Sequence, residues 1–155
     1  MAESGSIRNI VLLGHGGSGK TSLAEAMLHT TGAVNRLGSV DDKTSVCDYY
    51  DEEKEHQHSI QAALAHVEHA GKLINIIDTP GYPDFCGPAI TTIPGAETAV
   101  IVISAAAGIE TNTRKMFEMA ARAEKPCLIV VNKMDADNVD FPELFKNIQD
   151  SFGSA

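Results

Sequence analysis

A glycine-rich segment near the amino terminus constrains the fold more than any other part of the sequence. Residues 14–21 read Gly-His-Gly-Gly-Ser-Gly-Lys-Thr and fit the pattern G-x-x-x-x-G-K-S/T. The apolar residues 7–13 before it predict a buried strand, and the apolar spacing of residues 21–31 after it predicts a helix. Glycines between a strand and a helix let backbone N–H groups curl around phosphate oxygens at the positive end of the helix. The segment therefore predicts an α/β fold with a phosphate-binding loop.

We assign phosphate binding to this whole loop and to the residue after it. Lys20 is predicted to reach the terminal phosphates, and the Thr21 hydroxyl is predicted to ligate Mg²⁺. The alternative is a glycine-rich turn that matches by chance, which the flanking strand and helix make rare. The predicted binding residues are Gly14, His15, Gly16, Gly17, Ser18, Gly19, Lys20, Thr21 and Ser22.

Apolar strands and helical patterns alternate along the rest of the chain. Residues 59–68 and 72–78 are expected to form a hairpin with its turn at residues 70–71. Residues 32–57 are polar and aperiodic, which favours a long surface loop, and residues 48–55 within it read as a solvated acidic stretch. Strands followed by helices predict a mostly parallel sheet with helices on both faces. The other predicted elements are the strands Thr98–Ser104 and Cys127–Asn132 and the helices 111–123 and Phe141–Phe152.

A second motif, Asp78-Thr79-Pro80-Gly81, ends the second arm of the predicted hairpin. Asp78 follows a buried strand and is placed to hold Mg²⁺ through water. Gly81 can bring its N–H group onto a γ-phosphate because it has no side chain to block the approach. Alone, the motif is equally a good β-turn. After a phosphate loop, it predicts a switch segment that senses the nucleotide.

A third motif, Asn132-Lys133-Met134-Asp135, follows another buried strand. The Asp135 carboxylate can accept both donors on the Watson–Crick edge of guanine, and adenine offers no such pair. Asn132 is expected to contact the base and brace the phosphate loop, with the Lys133 stem along the base plane. An ordinary polar strand end is the alternative. Because nucleotide sites in open parallel sheets lie at the carboxyl ends of strands, we expect the three motifs to converge.

Taken with further short segments, these motifs resemble the GTP-binding domain of translational GTPases, most closely elongation factor G and its divergent paralogues. The resemblance covers nearly the whole chain. It implies a three-layer P-loop NTPase fold with one antiparallel hairpin strand, GTP/GDP and Mg²⁺ as ligands, GTP hydrolysis as the activity and the ribosome as partner. The further segments are residues 31–38, Asp84-Phe85, Ser104-Ala105 and Gly108-Ile109-Glu110.

Two positions depart from the pattern of this family. Ser59 falls where the family has a Mg²⁺-binding threonine, and its hydroxyl can serve the same role. Tyr82 follows Gly81 where the best-known members carry the histidine that positions the attacking water, and a neutral phenol cannot carry the charge of an imidazolium at pH 7. Slow hydrolysis is therefore expected. The resemblance assigns catalysis to Lys20, Gly81 and Tyr82 and the metal to Thr21, Ser59 and Asp78.

Length and composition limit the partners and the cellular compartment that are expected for such a domain. The net charge of −9 argues against direct nucleic-acid binding by this chain alone. No apolar run approaches the ~20 residues of a membrane span, and three widely spaced cysteines suit a reduced, cytoplasmic compartment. From the family pattern, we expect the last strand and helix and the later domains to lie outside these 155 residues. We expect residues 1–155 to be the N-terminal part of a GTP-binding domain.

Two functional alternatives remain open from the sequence. The chain could belong to an interaction module that binds GTP but hardly hydrolyses it, which the phenol of Tyr82 would favour. A second alternative is a tetracycline-type ribosomal protection protein or a release-factor-recycling GTPase, because the parts that distinguish these proteins lie outside the 155 residues.

Overall fold

Five strands form one sheet in the computed structural model, which describes residues 3–153. The order across the sheet is second, third, first, fourth and fifth strand. The pairs first–third, first–fourth and fourth–fifth are parallel, and the hairpin pair second–third is antiparallel. The mostly parallel sheet with one antiparallel strand is therefore confirmed. The strands are β1 (Ile7–Gly14), β2 (Ala63–His69), β3 (Lys72–Asp78), β4 (Thr98–Ser104) and β5 (Cys127–Asn132).

Helices cover both faces of the sheet, which gives three layers. Successive strand residues point to opposite faces. Val11 of β1 therefore packs with one core cluster, and Leu12 packs with a second cluster on the other face. The helices are α1 (Lys20–Thr30), α2 (Asp51–His56), α3 (Cys86–Thr92), α4 (Thr111–Arg122) and α5 (Phe141–Phe152), with short 3₁₀ turns at Ser4–Ser6, Pro83–Phe85 and Ile93–Gly95.

The two core clusters show which helices lie on which face. The cluster that contains Val11 includes Ala89 of α3, Met116 of α4 and Leu144 of α5. The cluster that contains Leu12 includes Leu28 of α1. Burial on both faces explains why β1 and β4 read as nearly continuous apolar runs in the sequence.

The first long loop differs from the sequence prediction in two ways. Residues 32–57 contain the short helix α2, whose six residues are too few to show helical periodicity. The acidic stretch 48–55 is not uniformly solvated, because Asp48 is 2% exposed and Glu53 is 1% exposed. The prediction of a purely solvated acidic loop was wrong for these two carboxylates.

The sequence analysis also did not predict helix α3, since Cys86–Thr92 is short and its residues are mostly small or polar.

The hairpin begins later than predicted. Strand β2 starts at Ala63 rather than at Ser59. The backbone N–H groups of Ile60 and Gln61 donate to Glu53 Oε1 at 2.9 and 3.0 Å, so they are not available to a strand ladder. The turn itself falls at residues 70–71 as predicted, with φ of 48° and 72°, the paired positive values typical of a two-residue hairpin turn.

The parallel strands end at one edge of the sheet, which positions the three motifs. The residues that follow β1, β3 and β5 are the glycine-rich loop, the segment 79–81 and the segment 133–135. No helix within residues 3–153 is long and apolar enough to cross a membrane.

Candidate nucleotide site

The glycine-rich loop between β1 and α1 is held by a side chain from the third motif. Asn132 Nδ2 donates a hydrogen bond to the backbone oxygen of Ser18 at 3.1 Å. Gly19 has a φ of 93°, in the left-handed region, and a Cβ at this position would clash with the Asn132 amide. The glycine-rich loop and the end of β5 are therefore packed together, and Asn132 holds the loop as the sequence analysis expects.

The Lys20 side chain folds back against the backbone of the glycine-rich loop. Its Nζ donates to the backbone oxygens of His15 at 2.8 Å and Gly14 at 3.3 Å, and the residue is 5% exposed. Burial lowers the pKa of Lys20 to about 8, although the charges of Asp78 and Glu110 oppose this shift. The ammonium group is thus buried against the glycine-rich loop, where the sequence predicts the terminal phosphates.

Gly81 lies directly against the same ammonium group. A Cβ at Gly81 would clash with Lys20 Nζ and would also crowd Gly16 N and His15 O at 2.6 Å. Only a residue without a side chain allows the second motif to approach the phosphate loop this closely. Asn112 of α4 fixes the segment from the other side, because its Nδ2 donates to Gly81 O at 2.7 Å.

Three oxygen-bearing side chains from separate segments meet beside α1. Thr21 Oγ1 donates to Asp78 Oδ2 at 2.6 Å and lies 3.2 Å from Ser59 Oγ. Ser59 Oγ is also 2.7 Å from Asp48 Oδ1, to which it donates a hydrogen bond. The structure therefore brings together all three residues predicted for the metal and adds Asp48, which the sequence reasoning had placed in a solvated stretch.

The chemistry of this cluster suits a hard divalent cation. Hydroxyl and carboxylate oxygens are the ligands that Mg²⁺ prefers. Asp78 Oδ1 is buried and has no hydrogen-bond partner among residues 3–153. Burial raises the pKa of Asp78 to about 6, against the opposing effects of the Thr21 hydrogen bond and the Lys20 charge. An unpartnered, desolvated carboxylate oxygen next to two hydroxyl groups fits Mg²⁺.

Two buried glutamates hold the first long loop in place, and sequence reasoning missed both. Glu25 Oε1 accepts three hydrogen bonds from residues 45–47 at 2.6–3.1 Å. Glu53 accepts the backbone N–H groups of residues 60–61 and of Tyr50. The periodicity of α1 could have revealed Glu25, because it lies three residues before the buried Leu28 on the apolar face. No comparable signal marks Glu53.

A cavity of about 480 Å³ lies between the phosphate loop and the first long loop. Residues from all three motif regions line it, including Lys20, Gly81 and Lys133. Residues 37–41 of the first long loop also line it, and nothing in their sequence pattern predicts this position. The volume lies within the usual range for small-molecule sites, about 300–1,000 Å³.

We call the part of the site around residues 14–22 and Asp78–Gly81 the phosphate end and the part around residues 132–135 the base end, after the roles that the sequence predicts for them. The base end is more open to solvent than the phosphate end. Lys133 has a φ of 58°, and its backbone N–H donates to Asn132 Oδ1 at 2.9 Å. Lys133 and Asp135 are both exposed. The structure therefore places Asp135 at the predicted edge of the sheet, on a segment that is open to solvent.

Tyr82 lies over the glycine-rich loop. A Cβ at Gly16 would lie 3.0 Å from the Tyr82 ring, which is closer than most real Cβ contacts. The residue is 43% exposed, and its ring centroid is 4.9 Å from that of His58. Tyr82 therefore lies between the glycine-rich loop and His58, and it lines the cavity.

These features define a P-loop nucleotide-binding domain built on a mostly parallel α/β sheet. The family model described as the Elongation factor Tu GTP binding domain matches residues 5–155. The chain belongs to this family of translational GTPase domains. The resemblance found in the motifs is thereby confirmed.

Similar proteins carry related descriptions. The Elongation factor G-like protein of Mycobacterium tuberculosis is 36% identical over 149 residues, which cover 96% of this chain and 21% of that protein. The Tetracycline resistance protein TetS of Listeria monocytogenes is 33% identical over 144 residues, covering 93% of this chain and 22% of that protein. A crystal structure of a Thermus thermophilus protein superposes with a TM-score of 0.92 at 35% identity, covering 96% of this chain and 22% of that one. The chain thus spans about a fifth of the length of these relatives.

Proposed function

We propose that the chain binds GTP and GDP with Mg²⁺ and hydrolyses GTP as the N-terminal nucleotide domain of a longer, elongation-factor-G-like protein that acts on the ribosome in the cytoplasm. The meeting of Thr21, Ser59 and Asp78 beside the buried Lys20 carries this proposal. These groups come from three distant segments, and their joint chemistry suits a metal-bound triphosphate. The family membership supplies the guanine nucleotide and the link to translation.

Each end of the nucleotide has its own binding residues in this proposal. Residues 14–22 surround the phosphates with backbone N–H groups, and Lys20 contacts the terminal phosphates. Thr21, Ser59 and Asp78 hold Mg²⁺, Asp78 through water, and the ion neutralises phosphate charge when it is bound. Asn132, Lys133 and Asp135 recognise guanine.

Hydrolysis in this proposal depends mainly on positioning and on charge stabilisation. Gly81 brings its N–H group to the terminal phosphate, and its contact with the Lys20 ammonium supports this role. Tyr82 cannot place a positive charge there, since a phenol, unlike an imidazole, has no cationic form in water. We therefore propose that hydrolysis is slower than in relatives with a histidine at this position.

Single-turnover GTP hydrolysis, measured with and without ribosomes, tests the proposal. The chain alone should hydrolyse GTP slowly, and a longer protein that contains it should be stimulated by ribosomes. The matched control is the same protein with Lys20→Ala. Tight GTP binding without hydrolysis under either condition would favour an interaction module and would contradict the proposed activity.

The similarity to TetS supports a second candidate, a ribosomal protection protein. This alternative shares the nucleotide chemistry and differs in the step at the ribosome. Translation assays distinguish the two: an elongation factor should support translocation, whereas a protection protein should restore translation in the presence of tetracycline.

A further inference from the structure

A histidine of the first long loop lies beside Tyr82. The His58 ring centroid is 4.9 Å from that of Tyr82, with 59° between the planes, and 5.8 Å from that of Phe85. His58 is half-buried and lines the same cavity as Tyr82. It also directly precedes Ser59, whose hydroxyl contacts Thr21. An imidazole thus stands at the phosphate end of the cavity, although not at the position that the family resemblance assigns to histidine.

A hydrogen bond within the loop sets the tautomer of this ring. His58 Nδ1 lies 3.0 Å from the backbone oxygen of His56. A carbonyl oxygen can only accept, so Nδ1 must carry the proton. In the neutral ring, Nε2 is then left with a free lone pair and acts as a hydrogen-bond acceptor. The backbone N–H of His58 donates to Glu53 O at 3.2 Å, which anchors the residue to the end of α2.

A chain of contacts links this acceptor to the place where a terminal phosphate would lie. Gly81 touches the Lys20 ammonium, and Tyr82 follows it with its ring over Gly16. His58 packs on that ring. The other imidazole at this end, that of His15, is engaged elsewhere, since its Nε2 is 3.4 Å from Glu110 Oε1. Among residues 3–153, the His58 ring makes its hydrogen bond through Nδ1, which leaves Nε2 without a partner beside Tyr82.

We propose that His58 Nε2 accepts a hydrogen bond from the water that attacks the terminal phosphate, which makes His58 a water-positioning residue. The proposal rests on the proposed GTP hydrolysis. The water oxygen bonds to the γ-phosphorus as the bond from phosphorus to the bridging oxygen of GDP breaks, and the water proton passes to the released phosphate. His58 orients the water throughout and needs no net change in its own protonation. Tyr82 provides the surface on which the imidazole packs.

Conservative variants separate this role from simple aromatic packing. His58→Phe keeps a ring against Tyr82 and Phe85 but removes the acceptor, and His58→Gln keeps an acceptor oxygen but removes the ring. We expect single-turnover GTP hydrolysis to fall at least about tenfold in His58→Phe and less in His58→Gln, in line with the effect of one positioned polar group. His69→Phe is the matched control and should hydrolyse at the wild-type rate, because His69 is an exposed residue at the end of β2 and does not line this cavity. Melting temperature and affinity for a non-hydrolysable GTP analogue should change little in all three variants.

A spectroscopic readout tests the geometry without relying on turnover. Long-range ¹H–¹⁵N spectra of the nucleotide-free chain should show His58 protonated at Nδ1 and not at Nε2. A proton on Nε2 would overturn the proposal. So would wild-type hydrolysis by His58→Phe while the wild-type protein is active, which would leave the proposed function intact. Absence of hydrolysis in the wild-type protein, with and without ribosomes, would instead reject the proposed function and this role together.

Discussion

The phosphate end and the base end of the site are built differently. At the phosphate end, Lys20 and Asp78 are 5% and 2% exposed, and hydrogen bonds join Thr21, Asp78, Ser59 and Asp48 into one cluster. At the base end, Asp135 is exposed. The side chains of the phosphate end are therefore buried and hydrogen-bonded to one another, whereas the base end offers one accessible carboxylate. This difference implies that the phosphate end supplies most of the affinity and that the base end supplies selectivity.

The largest expected effect is at Lys20, which tests whether the phosphate end dominates binding. Lys20→Ala should weaken GDP binding at least about a hundredfold, because charge-assisted hydrogen bonds contribute about 1.5–3 kcal/mol each. Isothermal titration with GDP and Mg²⁺ measures the change. Lys146→Ala, on the exposed side of α5, is the control and should bind like the wild-type protein. Equal loss in both variants would mean that net charge, not the buried ammonium, governs affinity.

The second effect concerns the base end. Asp135→Asn replaces an acceptor with a donor, which opposes guanine and suits xanthine. We expect the preference to move from guanine to xanthine nucleotides by about 1–2 kcal/mol, the cost of leaving a polar group unpaired. Competition between GDP and XDP measures the shift, with the neighbouring exposed Asp137→Asn as control. Unchanged GDP affinity in Asp135→Asn would rule out this placement of the base.

A smaller change is expected when Tyr82 is replaced by histidine. Tyr82→His places an ionisable imidazole over the phosphate loop and should raise ribosome-stimulated hydrolysis by about tenfold, which corresponds to about 1.4 kcal/mol of barrier. GTP affinity should change little. The measurement is single-turnover hydrolysis on ribosomes by the longer protein, with Tyr49→His as control. A rate equal to or below the wild-type rate would show that Tyr82 already suits catalysis in this protein.

The smallest effect is expected at Ser59, where a substitution should affect the binding of a GTP analogue but not the binding of GDP. If Ser59 holds Mg²⁺ only when a γ-phosphate is present, then the first long loop moves away after hydrolysis. Ser59→Ala should weaken binding of a non-hydrolysable GTP analogue about fivefold, which corresponds to about 1 kcal/mol for one hydroxyl contact, and should leave GDP affinity unchanged. Similar losses for both nucleotides would indicate a role in folding.

The two ends of the site also differ in how far the sequence could predict them. The three motifs are contiguous, and each follows an apolar strand, so their convergence could be predicted from strand order alone. The arrangement of the first long loop could not. Its position depends on Glu25 and Glu53, whose carboxylates accept backbone N–H groups from other segments of the chain. Isolated glutamates in an acidic sequence carry no pattern that distinguishes such buried groups from solvated ones.

The packing of His58 on Tyr82 is a second contact that could not be predicted from the sequence. The two residues are 24 positions apart in the numbering, and no periodicity relates them. Their contact depends on residues 57–59, which line the cavity and precede the late start of β2 at Ala63. The fold class could be predicted because it depends on local patterns. The side-chain contacts of the phosphate end could not be predicted, because they depend on the position of the first long loop, whose sequence has no periodicity.

Base selectivity provides the most direct test of the central claim, that this cavity holds a guanine nucleotide. Isothermal titration of the chain should be carried out with GDP and with ADP, both in the presence of Mg²⁺. The account predicts that GDP binds at least about tenfold more tightly than ADP, because only guanine offers two donors to Asp135 and one unmatched polar group costs about 1–3 kcal/mol. Equal binding of GDP and ADP would contradict it.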